Sequence, residues 1–106
     1  MPSDWEVPMI AAFVRFQYGS DFDEAKVRKI AGGARVTFEG MPGLRSKVFT
    51  VRPRSKEAIN VYVWETEAAA KAFFTDELVE RVTSLYGVRP VVDFADVAAL
   101  VENRPT

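Results

Sequence analysis

Three side chains on one short stretch invite a chemical reading. In AINVYVWE (58–65), Asn60, Tyr62 and Trp64 alternate with Ile59, Val61 and Val63. Strict alternation marks a β-strand, so an amide, a phenol and an indole share one face and aliphatic side chains the other. At roughly 3.3 Å per residue, Asn60 and Trp64 stand about 13 Å apart along the strand. They cannot easily bond each other, but both can reach a flat ligand lying along the strand, with Tyr62 between them. Such a face suits a pocket lining. It also suits a subunit interface, where Tyr and Trp are common and Asn bonds a neighbouring backbone group. Arg15 interrupts the apolar stretch MIAAFVRFQY. It either faces the pocket, to bind an anionic substrate, or snorkels at a sheet edge. Arg81 falls near the expected mouth, and its i,i+4 spacing from Glu77 also reads as ordinary helix support.

The composition narrows the chemistry. The 106 residues include no Cys and no His. That excludes disulfides, thiolate nucleophiles, Cys or His metal sites and imidazole acid–base catalysis. Catalysis is left to carboxylates, Tyr, Lys, Arg, Asn, Trp or hydroxyls, and no acidic spacing suggests a carboxylate metal site. With 14 basic and 15 acidic residues the net charge is −1, against the basic excess of a general nucleic-acid binder. No run of ~18 apolar residues predicts a membrane span. MPSDWEVPMI lacks the basic start and apolar centre of a signal peptide. The expectation is a cytoplasmic protein with neither nucleic-acid nor membrane partners. Arg45, Lys47, Arg52, Arg54 and Lys56 read as a solvated strand and turn rather than an anion patch. Asp93 and Asp96 fall on opposite faces of a strand. Gly32-Gly33 follows no strand and is not a phosphate loop; it suggests a close helix contact or a kink.

Residues 1–8 read as a flexible leader, 9–101 as one domain and 102–106 as a tail. Strands are predicted at 9–17, 44–52, 58–65 and 88–97. Asp23 is a helix N-cap, with Phe22 and Val27 as a hydrophobic staple. Val27, Ile30, Ala31, Ala34 and Phe38 then keep helical spacing, and Gly40 stops the helix. A second helical region starts near Thr66, with Ala69, Ala72 and Phe73 on one side. It bends near residue 75, where Thr75-Asp76 offers a new N-cap, and ends at Gly87. The order β-α-β-β-α-β is the ferredoxin-like, α+β pattern, with a four-stranded antiparallel sheet covered by helices on one face. In that sheet Ile59, Val61 and Val63 suit the covered face. Asn60, Tyr62 and Trp64 then point to the open face, which a second copy would cover in a homodimer.

From residue 9 to about 101 the sequence resembles the dimeric α+β barrel superfamily. It is most similar to its antibiotic-biosynthesis-monooxygenase and YdhR-type monooxygenase groups. The stretches that carry the resemblance are MPGLRSKVFTV, NVYVWETEAAAKAFF, FTDELVERV and GVRPVVDFADV. Asn60-x-x-x-Trp64 matches the Asn and Trp on the third strand of the cofactor-free quinone-forming monooxygenases. The resemblance implies that Asn60 and Trp64 are catalytic, orienting a polycyclic phenol and O₂; Tyr62, Arg15 and Arg81, read from their places in the sequence, are the substrate-binding candidates. The substrate supplies the electrons, so neither flavin nor metal is expected. Haem-degrading relatives share the pair but ligate iron through His, which this sequence lacks, so haem is not carried over. The expected partner is a small aromatic or polyketide-like molecule. A non-catalytic ligand-binding protein, a dimerisation module, and an isomerase or decarboxylase on the same scaffold are the alternatives.

Overall fold

The computed structural model describes residues 8–103. Most of the expected leader (1–8) and the end of the expected tail (102–106) lie outside the described residues. Strand β1 (Ile10–Gln17) is followed by helix α1 (Glu24–Phe38), strands β2 (Leu44–Arg52) and β3 (Glu57–Trp64), helices α2 (Glu67–Phe73) and α3 (Asp76–Tyr86), and strand β4 (Val91–Asp96). The sheet order is β2-β3-β1-β4, with every pair antiparallel. This is the expected ferredoxin-like α+β fold. Among the described residues no helix is long and apolar enough to cross a membrane.

The local chemistry sets the boundaries. Asp23, Thr66 and Thr75 cap α1, α2 and α3, each accepting a hydrogen bond from the backbone N–H three residues on, which satisfies a donor the helix leaves free. Gly87 ends α3 at φ 86°, a left-handed conformation that costs glycine little. Strand β4 starts later than the expected residue 88, because Pro90 has no N–H to give a ladder. The break after Phe73 has a packing result. Neighbouring residues of one helix diverge by about 100°. Ending α2 at Phe73 frees Phe74 to turn inward, so both rings reach Tyr62, at 5.6 and 5.0 Å between centroids. In α2 it is Ala70, not Ala72, that is buried beside the partly buried Ala69 and Phe73.

The facing of β3 is opposite to the expected one. Phe38 of α1 meets Tyr62 edge-on, Phe73 of α2 lies 4.9 Å from Trp64, and Tyr86 of α3 stacks on Phe16 at 3.8 Å. All three helices therefore cover the face that carries Asn60, Tyr62 and Trp64. Small residues make the room: Tyr62 stands opposite Ala12, and Phe16 opposite Ala58. Large rings set beside alanines fill the layer under the helices without overpacking. Ile59, Val61 and Val63 occupy the outer face with the exposed Phe13, Val48 and Val91. The cavity expected on the open face is accordingly an inner one.

The turn before β2 tests this packing. Gly43 has φ 82°, its carbonyl accepts from Glu65 N–H at 2.8 Å, and a Cβ there would lie 3.0 Å from the Ala69 methyl. Gly43→Ala combines left-handed strain with a clash against α2. It is expected to lower unfolding free energy by about 1–3 kcal/mol, read as a lower urea midpoint at unchanged slope.

Candidate functional site

A cavity of about 340 Å³ lies between the inner sheet face and the helices. That volume is within the range of small-molecule sites. Val14, Asn60 and Tyr62 form its floor, Phe38 and Phe74 contribute ring walls, and the exposed Arg81 stands at its outer side.

Asn60 is 4% exposed, and its side-chain amide donates to the Tyr86 hydroxyl at 3.2 Å. Burial pushes the Tyr86 phenol up, partly offset by that bond. Burial pushes the Tyr62 phenol up further, with a smaller contribution from Tyr86. Neither phenol is a base at neutral pH; both are donors. Trp64 packs beneath α2 in near-parallel contact with Tyr62. Among the described residues its Nε1 is a buried side-chain nitrogen with no hydrogen-bond partner, a donor whose potential is unspent.

Of the five expected site residues, the fold brings Asn60, Tyr62 and Arg81 to the cavity, and Trp64 lies next to it through its ring contact with Tyr62. Arg15 does not join them. It stands opposite Ile59 on the outer face, exposed and outside the cavity. Arg81 makes no ion pair among the described residues, so the bond to Glu77 suggested by the spacing is not formed.

Lys47 takes the place that Arg15 does not. It lines the cavity from β2, directly opposite Tyr62. Its Nζ donates to the Tyr62 hydroxyl at 2.8 Å and lies 3.3 Å from the centre of the Phe38 ring, with Phe49 and Tyr62 at 4.1 and 4.2 Å. Burial pulls the amine down to about 7 from the ordinary 10.5. The ring faces act the other way, but a desolvated cation–π contact returns only about 2 kcal/mol, and each pKa unit represents about 1.36 kcal/mol. The offset is smaller than the shift, so burial keeps the amine below the ordinary lysine range. Sequence reasoning read Lys47 as part of a solvated basic run. The signal it missed is that Lys47, Phe49 and Val51 alternate on one side of β2. Tyr86, at the end of α3, is a further cavity residue that the sequence did not single out. Among the described residues no three acidic side chains come together to hold a metal ion.

No protein-family model matches the chain, and no curated protein does. Solved structures share its fold. A protein of unknown function from Nitrosomonas europaea aligns with a TM-score of 0.74 at 14% identity, over 93% of this chain and 98% of its own. A monooxygenase from the ActVA-Orf6 gene of Streptomyces coelicolor, solved with nanaomycin D, aligns with a TM-score of 0.63 at 22% identity, over 92% and 94%. SnoaB, a cofactor-independent oxygenase of Streptomyces nogalater, aligns with a TM-score of 0.57 at 14% identity, over 89% and 95%. The neighbours also include several candidate antibiotic biosynthesis monooxygenases. The chain has the fold of these proteins, as the sequence resemblance implied.

The depressed amine has a measurable effect on stability. Between about pH 7 and 10.5 the unfolded chain holds more protons at Lys47 than the folded one, so folding gains stability as pH rises through that window. Lys47→Met removes the dependence. Its Tm should exceed that of the parent most at or below about pH 7, and the difference should shrink towards pH 10. Calorimetry across that range is the check; a difference independent of pH would contradict the assignment.

Proposed function

We propose that the protein is a monooxygenase that oxidises a small aromatic or polyketide-like phenol with O₂ in the inner cavity, without a cofactor. The observation that carries this reading is the cavity itself: 340 Å³, walled by rings and aliphatic groups, with a few hydrogen-bonding side chains converging on it. The fold of known monooxygenases supports it at the level of architecture.

The chemistry needs little from the protein. An anthrone or phenol that loses a proton becomes an electron-rich anion, and this passes an electron to O₂. Recombination of the radical pair gives a hydroperoxide. Loss of water then leaves the quinone carbonyl, so a CH₂ and O₂ become C=O and H₂O. The protein binds the ring, stabilises the anion and excludes bulk water. The Asn60 amide has a second N–H beyond the one given to Tyr86, and that proton can meet an oxyanion. Trp64, beside the cavity behind Tyr62, has an unpaired N–H. Arg81 at the outer side offers a cation to a polar substituent.

A second copy of the chain completes the proposal. Phe13, Val48 and Val91 are 40%, 54% and 51% exposed on the outer face beside Ile59, Val61 and Val63. An apolar sheet face of this kind marks an interface. Size-exclusion chromatography with light scattering should give twice the 11.9 kDa chain mass. A single-chain mass at micromolar concentration would remove the homodimer.

Oxygen consumption with hydroxylated anthrones and naphthols tests the activity. Asn60→Ala should lower kcat by ~10²–10³ with a smaller change in KM, the usual cost of losing one oxyanion donor. Asn60 is buried, so each variant is first shown to be folded. Tyr86→Phe breaks the same internal hydrogen bond from the other side and should cost far less activity. Trp64→Phe keeps a ring and loses the N–H, with a smaller effect shared between kcat and KM. If Asn60→Ala and Tyr86→Phe lose activity equally, Asn60 is structural. Binding without oxygen uptake by the parent protein would leave a ligand-binding protein.

A further inference from the structure

We infer that the cavity takes an aromatic compound with an acidic hydroxyl, a phenol or an enol, and that the Lys47 amine receives its proton. The inference rests on the reading of the cavity as a ligand site, and it supplies the base that Asn60, Tyr62 and Trp64 do not.

The case begins with what surrounds Lys47. On the cavity side it faces the Tyr62 and Tyr86 hydroxyls and the Arg81 guanidinium, while β1, β4 and the part of α1 that lines the cavity present no charged side chain. On the opposite side Lys47 borders a groove with Arg35, Glu39 and Arg45. The nearby carboxylates are taken: Glu39 lies 3.3 Å from Arg35, and Glu102 lies 2.9 Å from Arg45. Lys47 has no carboxylate partner among the described residues. A half-buried lysine without a counter-ion is a costly choice where a methionine would fill the space. An anionic ring bound in the cavity supplies the missing counter-charge, and the ring walls supply its apolar contacts.

The protonation state fits that role. A lysine of ordinary basicity is already charged at neutral pH and cannot accept a proton. The burial that holds the Lys47 amine near 7 leaves it a lone pair. In the transfer the ligand O–H bond breaks and an N–H bond forms on Nζ, giving an ammonium and a phenolate or enolate. No electron moves in this step. The product is the electron-rich anion that the proposed oxidation requires. The ammonium formed is then held by the phenolate, the Tyr62 oxygen and the Phe38 ring, whose face is 3.3 Å away.

The test uses 2-naphthol under argon, where no oxidation can proceed, at a pH below its own pKa and above that of Lys47. The parent protein should bind it as naphtholate, seen in absorbance, with no net proton released, as measured by calorimetry in two buffers of different ionisation enthalpy. Lys47→Met should bind it roughly 10- to 100-fold more weakly, as expected on losing a hydrogen bond to a charged group, and as the neutral naphthol. Lys47→Arg keeps a cation but has no lone pair to give; it should bind naphtholate and release about one proton per ligand. The inference is overturned if Lys47→Met binds the probe with parental affinity and spectrum, or if the parent releases a proton as Lys47→Arg does. It is also overturned if 2-naphthol does not bind at all. Oxygen uptake is measured separately: naphtholate binding without uptake upholds the role of Lys47 while removing the oxygenase reading. Uptake with Lys47→Met unimpaired does the reverse.

Discussion

A strand offers its alternate side chains to one side only, and the inner architecture depends on which set β3 turns towards the helices. With Asn60, Tyr62 and Trp64 inward, the rings of Tyr62 and Trp64 become the seat on which Phe38, Phe73 and Phe74 rest. That cluster ties α1 and α2 to the centre of the sheet through side chains too large to rearrange cheaply. Further along the same face Asn60 meets Tyr86, and α3 is fixed by the stacking of Tyr86 on Phe16 and by the Tyr18 hydroxyl, which donates to the Tyr86 carbonyl at 2.9 Å. The space between these two anchor points is the cavity. One strand thus provides both the clamps that hold the helices and the polar groups that the clamps leave accessible.

The elements were legible because each is signed locally. Side-chain oxygens at Asp23, Thr66 and Thr75 cap the three helices, and β2 runs over the expected residues 44–52. The facing of β3 was not legible from β3. Both of its faces are apolar enough to be buried, and choosing the aliphatic one as core assumed that an amide and a phenol prefer water. The information lay in the pairing. Arg15 stands opposite Ile59 and Gln17 opposite Glu57, so the polar half of β1 shares a face with the aliphatic half of β3. That register is a tertiary fact. Lys47 was hidden for a related reason. A bulge between Leu44 and Ser46 shifts the phase of β2, so of Arg45 and Lys47, two residues apart in a basic run, only Lys47 lines the cavity.

Architecture travels further than side chains in this fold. Neighbours at 8–22% identity keep the fold over most of both chains while sharing few of its side chains. What the cavity of this chain can do follows chiefly from the polar groups in and beside it: an amide, two phenols held in their neutral form, a guanidinium at the outer side, one amine of lowered basicity and, beside the cavity, an unpaired indole N–H. Five of these are donors. Only the amine can accept a proton from a ligand near neutral pH, which gives the site a direction: it favours ligands that arrive neutral and become anionic.

The same lone pair makes Lys47 a nucleophile. An amine near pKa 7 is unprotonated in a far larger share at neutral pH than an ordinary lysine of pKa ≈ 10.4. Acylating or arylating reagents react with the free amine and not with the ammonium. A flat aromatic electrophile that enters the cavity would therefore meet a reactive amine among ring faces, while the exposed Lys26, Lys29, Lys56 and Lys71 offer it no such enclosure. Covalent labelling at neutral pH would then distinguish the interior of the protein from its surface, giving a chemical handle on the cavity without knowledge of the natural ligand.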